Sequence, residues 1–132
     1  MAAPHGIEQV ARELVSAFGA GDLERMRTLL AEDVKAYITN REGGADLVVG
    51  SKEYLRRVEA MDLPSANFRI DVTQVVAVRD DLAMIMVEID AARRGKTLHN
   101  HAAHLLFVND GKVAEWWMVE ALPEESEEFW SS

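Results

Sequence analysis

An α+β fold is predicted for this chain, and three observations predict it. Apolar residues recur at helical spacing only in the first half of the 132 residues. The second half reads as four successive strand-like stretches, mostly alternating apolar and polar residues. Short turns join those stretches, and Asn109-Asp110-Gly111 is the strongest hairpin signal among them. Helices gathered at the start and an antiparallel meander behind them argue against a parallel α/β sheet. The predicted order is α-α-β-α-β-β-β-β, in one domain spanning 1–132.

Each element has its own signal. Ile7, Val10, Ala11, Leu14, Val15 and Phe18 form one apolar stripe on a helix from about Ile7 to Phe18, which Gly19 and Gly21 end. Asp22 can cap a second helix, with Leu23, Met26, Leu29 and Leu30 as its buried face. Its capping box is incomplete, because Arg25 stands where a Glu would reciprocate. Val34–Thr39 alternates as a strand, and the turn-rich 40–46 (NREGGAD) reads as a loop. Ser51 is placed to cap a third helix holding Tyr54, Leu55, Val58 and Met61, closed by Leu63-Pro64.

The remaining strands are Phe68–Val78, Leu82–Ala92, Thr97–Val108 and Lys112–Glu120. Arg79-Asp80-Asp81 and Arg93–Lys96 make turns between them. In Leu82–Ala92, Met84, Met86, Glu88 and Asp90 share one face, and Ala83, Ile85, Val87 and Ile89 the other. Pro123 can open a short terminal helix, pinned by Phe129 and Trp130. The acidic run 124–128 (EESEE) reads as a solvated tail.

Composition narrows the function classes. The formal charge of −9 repels phosphate backbones and anionic lipid, so a nucleic-acid partner is not expected. No apolar run has the length of a membrane helix, so no membrane partner is expected. The N-terminal MAAPHGIEQVARE lacks the basic-then-apolar layout of a secretory leader. With no cysteine there are no disulfides, thiolate metal sites or cysteine nucleophiles, and a cytoplasmic setting is expected. No cofactor is expected.

Motifs spread along the chain carry a resemblance. Gly21-Asp22-Leu23, Glu32-Asp33-Val34, Gly50-Ser51, Asp110-Gly111-Lys112-Val113 leading into Glu115-Trp116-Trp117, and the closing Glu128-Phe129-Trp130 all fit one pattern. With this element order the chain resembles the nuclear transport factor 2-like superfamily, nearest its SnoaL-like and ketosteroid isomerase-like members. The resemblance implies a curved antiparallel sheet wrapped around the three helices as a cone. It implies an apolar internal pocket and a homodimer through the convex sheet face. The fold hosts isomerases, cyclases, dehydratases, epoxide hydrolases and non-catalytic members, so it does not choose a function.

Register with the family pattern then places side chains. Leu98, Asn100, Ala102, His104 and Leu106 should face the pocket, and His99 and His101 the convex side. The His99/His101 pair could chelate a metal, but His104 and Glu88 have the wrong parity to join it, and no metal is expected. A hairpin turning at 94–96 would set Met86 opposite His104 and Glu88 diagonal to it. His104 and Glu88 are therefore the candidate acid–base pair, with Asp90 as a third catalytic candidate nearer the rim. Asn100 would hydrogen-bond a ligand oxygen, and Met84, Met86, Tyr54, Ala102 and Trp117 would form the walls.

On the last strand the same register points Trp117, Val119 and Ala121 inward, and Trp116, Met118 and Glu120 outward. Many cyclases and epoxide hydrolases of this fold carry an aspartate at the position matching Ala121, and ketosteroid isomerases one matching Ile38. Both are missing, and Glu120 would face inward only if the strand were bulged. Two readings follow. One is an enzyme acting on a small apolar or aromatic molecule by proton transfer, of isomerase, cyclase or dehydratase type. The other is a binding or accessory protein using the same pocket without turnover.

Overall fold

The computed structural model describes residues 3–131. Met1 and Ala2, at the start of the stretch read as leaderless, lie outside the described residues. Helix α1 (Ala3–Ala20) buries Ala11, Leu14, Val15 and Phe18 on one stripe, as their spacing predicts. It runs through Gly19 instead of stopping there. Gly19 serves a close approach: a Cβ at that position would lie 2.5 Å from Ile70 Cγ2. The chain breaks at Gly21, whose φ of +67° favours glycine. Asp22 then caps α2 (Leu23–Leu29) by accepting the Arg25 N–H at 3.1 Å.

Strand β1 (Leu30–Thr39) is followed by β2 (Ala45–Val49), which pairs antiparallel with it, Tyr37 opposite Leu47. The sequence reading placed a loop at 40–46 and no strand here. Five residues with only Val48 buried leave too little periodicity to detect. Helix α3 (Ser51–Met61) begins after Gly50, which holds the cap position at φ +97° without a side-chain bond, so Ser51 is the first helical residue and not the cap. A 3-10 turn (Leu63–Ala66) leads into β3 (Arg69–Arg79), β4 (Leu82–Arg93), β5 (Lys96–Asn109) and β6 (Lys112–Glu120). Helix α4 (Pro123–Ser131) contains the acidic run, which is therefore not a solvated tail: Ser126 is buried and Phe129 seats the helix on the body.

The six strands form one sheet in the order β2-β1-β6-β5-β4-β3. All neighbours are antiparallel except β1 and β6, which run parallel, so the sheet is mixed and not purely antiparallel. The helices α1 to α3 pack on its inner face. Leu14 and Phe18 of α1 and Tyr54, Leu55 and Val58 of α3 share a core with Ile85, Val87, Leu106 and Trp116 of the sheet. A smaller cluster, Ala66, Ala91, Leu98 and Phe129, seats α4. No helix among the described residues is long and apolar enough to cross a membrane.

Two local features decide which side chains face that core. The β4–β5 hairpin turns on two residues, Arg94 (φ 54°) and Gly95 (φ 76°), with Arg93 paired to Lys96. On β6, Val113 pairs with Val108 but Glu115 pairs with Phe107, so Ala114 is an extra residue in a bulge. Each feature shifts register by one residue relative to a plain reading, and one residue reverses the faces.

Candidate functional site

The inner face of β5 is as expected. Leu98, Asn100, Ala102, His104 and Leu106 are all buried, while His99 and His101 are exposed. Strand β4 is reversed. Ile85 lies opposite His104 and Val87 opposite Ala102, whereas Glu88 pairs with His101 and Asp90 with His99 on the outer face. The three-residue turn assumed at 94–96 is in fact a two-residue turn, and that slip moves the whole acidic set outward. Glu88 and Asp90 therefore cannot form an acid–base pair with His104. Met84 and Met86 go outward with them, and Met86 is 40% exposed.

Outside, each histidine stands beside its own carboxylate. His99 Nδ1 is 2.7 Å from Asp90 Oδ1, and His101 Nδ1 is 4.0 Å from Glu88 Oε2. The hydrogen bond to Asp90 holds the His99 imidazole above its ordinary pKa. Among the described residues, no three His, Asp or Glu side chains are placed to hold a metal ion.

Strand β6 is reversed as well, because of the bulge at Ala114. Trp116 and Met118 are buried, and Glu120 points into the fold. Trp117 lies outside, stacked on Tyr37 with ring centroids 3.9 Å apart. It is not a pocket wall. Tyr54 is not one either. It sits in the core against Trp116, and its hydroxyl donates to Met118 Sδ at 3.5 Å. Burial pushes that hydroxyl well above the usual tyrosine range.

A cavity of about 320 Å³ lies between the sheet, α1, α3 and α4. Its apolar walls include Phe18, Ile38, Phe68, Ile89, Leu98 and Met118, with Trp130 of α4. Its polar groups gather on β5 and β6: Asn100, His104 and Glu120, with Thr39 and Ser126 beside them. Ala102 lines it between Asn100 and His104. Arg57, Asp46 and Glu127 bring charge to the same cavity from α3, β2 and α4.

Glu120 is the residue the sequence reading turned outward. Ala102 is its cross-strand partner and Met118 is that of His104, so Glu120 is diagonal to both Asn100 and His104. Such diagonal positions are roughly 7–8 Å apart. Burial raises the proton affinity of the Glu120 carboxyl, while hydrogen bonds from Ser126 and Asn100 offset part of that rise. Asn100 Nδ2 donates to Glu120 Oε1 at 2.8 Å. Asn100 Oδ1 accepts the backbone N–H groups of His101 at 2.9 Å and Leu122 at 3.0 Å. These two donors fix which end of the amide is oxygen.

His104 is 3% exposed, and its Nδ1 accepts the indole N–H of Trp116 at 3.0 Å. Indole nitrogen can only donate, so Nδ1 carries no proton and Nε2 does. Burial lowers the imidazole pKa to about 4. At neutral pH His104 is an uncharged ring that can donate from Nε2.

The signal for Glu120 in the sequence was an acid one residue from the required parity. Only the bulge makes it an inward group, and a bulge has no side-chain signature here. The sequence reading found the acid that many members of the fold carry missing at Ala121 and faced Glu120 outward. Ala121 carries no acid, and Glu120, one residue earlier, lines the cavity.

Residues 11–116 match the family model of the SnoaL-like domain. The chain belongs to that family. Solved structures share its fold across nearly their full length. Bal32a, from a soil-derived mobile gene cassette, superposes with a TM-score of 0.85 at 18% identity, covering 97% of this chain and 98% of that one. TerC, co-crystallized with polyporic acid, gives 0.74 at 15% identity, over 94% and 97%. An LEH-like epoxide hydrolase of M. tuberculosis gives 0.75 at 12% identity, over 90% and 85%. At these identities the likeness is one of fold. Among curated proteins, none matches the sequence.

Proposed function

We propose that this SnoaL-like protein is an enzyme that moves a proton on a small apolar or aromatic molecule held in the cavity, with Glu120 as the general base and acid. The observation that carries this reading is the Glu120 carboxyl itself. It lines an apolar cavity, burial raises its proton affinity, and Asn100 and Ser126 hold it by hydrogen bonds. Burial shifts the carboxyl in the direction that proton transfer near neutral pH favours. A pocket that only sequestered apolar ligands would gain nothing from it and would bear the cost of desolvation.

His104 is the second polar group of the site. Its Nε2–H can donate to a ligand oxygen while Glu120 takes a proton from a neighbouring carbon. That division of labour suits an isomerase, cyclase or dehydratase step without a cofactor. The cavity volume sits at the small end of the usual ligand-pocket range of roughly 300–1,000 Å³. One or two rings fit it better than an extended polycycle. The bound polyporic acid of the TerC structure, in the same fold, supports a small organic ligand.

Two further parts belong to the proposal. The outer sheet face pairs two copies of the chain, as members of this superfamily commonly do. The protein works in the cytoplasm, on the strength of its cysteine-free composition.

The test is hydrogen–deuterium exchange into small aryl ketones in D2O, followed by NMR, with binding followed by tryptophan fluorescence. The wild type should bind and accelerate exchange, and Glu120→Gln should bind but exchange at the buffer rate. Binding by the wild type with no exchange above buffer would instead make this a non-catalytic binding protein.

A further inference from the structure

Asn100 was expected to hydrogen-bond a ligand oxygen, and the structure aims its amide nitrogen at Glu120 Oε1 instead. The side chain is 1% exposed. Both acceptor directions of Oδ1 are taken by backbone N–H groups, one from His101 and one from Leu122. Leu122 is the residue before α4, just past the end of β6, so its N–H has no partner from the sheet ladder. The Asn100 oxygen supplies the missing acceptor. The amide plane is thereby fixed from its oxygen end, and its nitrogen points at Glu120 Oε1.

Resting on the proton-transfer reading above, we propose that Asn100 is the positioning residue of the site: anchored by two backbone donors, it aims its amide at Glu120 Oε1 and so orients the carboxyl that exchanges a proton with the ligand. Asn100 acts through Glu120 and need not touch the reacting atoms. The anchor at Leu122 also ties the carboxyl to the root of α4, whose Pro123, Ser126 and Trp130 line the same cavity. Movement of α4 would therefore be felt at the acid both through Asn100 and through the Ser126 hydroxyl, which hydrogen-bonds the same carboxyl.

The other charged and titratable groups lining this cavity are Arg57 of α3, Asp46 of β2, Glu127 of α4 and His104 of β5. Arg57 lies 3.6 Å from Glu53 Oε2, and Glu127 lies 3.5 Å from Arg41, so both have partners away from the Asn100–Glu120 contact. Tyr54 of α3 feels the Glu120 charge but stays protonated throughout the working range.

The test reads protons directly and needs no substrate. In the wild type, ¹³C NMR of the Glu120 carboxyl gives its titration midpoint, assigned by loss of the signal in Glu120→Gln. One side-chain amide proton of Asn100 should shift with that same midpoint. In Asn100→Asp the two backbone donors keep their acceptor, while the donor to Glu120 becomes a second carboxylate. The Glu120 midpoint should then rise by about one pH unit or more and split into two coupled steps.

An Asn100 amide proton indifferent to the Glu120 titration in the wild type would overturn the proposal, whether or not the variant folds. So would an unmoved midpoint in a folded Asn100→Asp. If the titrations behave as stated but no ketone exchange is catalysed, Asn100 still positions the carboxyl and the enzymatic reading is the one that fails.

Discussion

Trp116 donates its indole N–H to His104 Nδ1 across 3.0 Å, and both rings lie inside the fold. The bond links β6 to β5 and fixes the imidazole tautomer. It also makes stability depend on acid. The folded imidazole holds its pKa at about 4, against 6.5 ordinarily. Between those values the unfolded chain binds a proton that the folded chain refuses. The stabilisation is full above 6.5 and is lost as pH falls toward 4. Urea unfolding at pH 7 and pH 4.5 should show the wild type losing about 2–3 kcal/mol more than His104→Gln over that interval. Glutamine keeps an acceptor for Trp116 but does not titrate. Equal losses would mean that His104 is protonated in the folded state.

Glu120 titrates in the opposite sense. Its folded proton affinity is raised by burial, so its contribution to stability is complete below the ordinary carboxyl range. It is lost as pH climbs through the raised value. Glu120→Gln should therefore match the wild type in acid and become the more stable protein at neutral pH, while losing proton transfer. Thermal melts at pH 4 and pH 7.5 check both halves. A variant less stable than the wild type at pH 7.5 would show that the carboxylate is a structural support.

How much of this could be read in advance depends on what sets each residue's direction. The β5 parity was legible, because Leu98, Asn100, Ala102 and His104 occupy one unbroken strand. The helices were legible from their apolar stripes, apart from cap details at Ser51 and Gly19. The β4 and β6 parities were not, since each depends on one residue of backbone conformation. Arg94 takes a left-handed turn position that glycine or asparagine usually fills, so Arg93–Lys96 gave no clear loop length. Ala114 absorbs a bulge without a glycine to announce it. Both errors fell on charged groups and on expected walls, and so the proposed acid moved from Glu88 to Glu120 while Met84, Met86 and Trp117 went to the outer face.

Gly19 tests the seating of α1 on the sheet. The space a methyl group would need is taken by Ile70 Cγ2, a short branch with little freedom to withdraw. Gly19→Ala gains helix propensity of about 1 kcal/mol but overpacks the contact. The overpacking should win, for a net loss of about 1–2 kcal/mol by chemical denaturation. Ile70→Ala made in the same chain should recover part of it, because the obstructing methyl is gone. If Gly19→Ala alone is stabilising, α1 can slide on β3 and the close approach is not a constraint.

Leu105 tests the outer face. Cross-strand pairing lines up Val76, Met84, Leu105, Trp117, Tyr37 and Leu47 in one apolar row across all six strands. Met86 and Val119 flank the row and are 40% and 44% exposed. The face turns polar on both sides of the band: Lys35 and Glu115 stand on one side, and His99, His101, Glu88 and Asp90 toward the Arg94–Gly95 hairpin. An apolar band of this extent on the outside of a sheet is what a second copy of the chain would cover. Leu105→Lys places a charge at the centre of the band, where burial without a partner would cost several kcal/mol. In a lone subunit the same lysine can reach water. Light scattering should find the wild type at twice the mass of one chain and Leu105→Lys at the mass of one, with far-UV circular dichroism unchanged. Thr97→Lys, at the polar hairpin end of the face, should leave the dimer intact. A wild type that is already monomeric at micromolar concentration would leave the apolar row without a second copy to cover it, and the dimer proposal would fall.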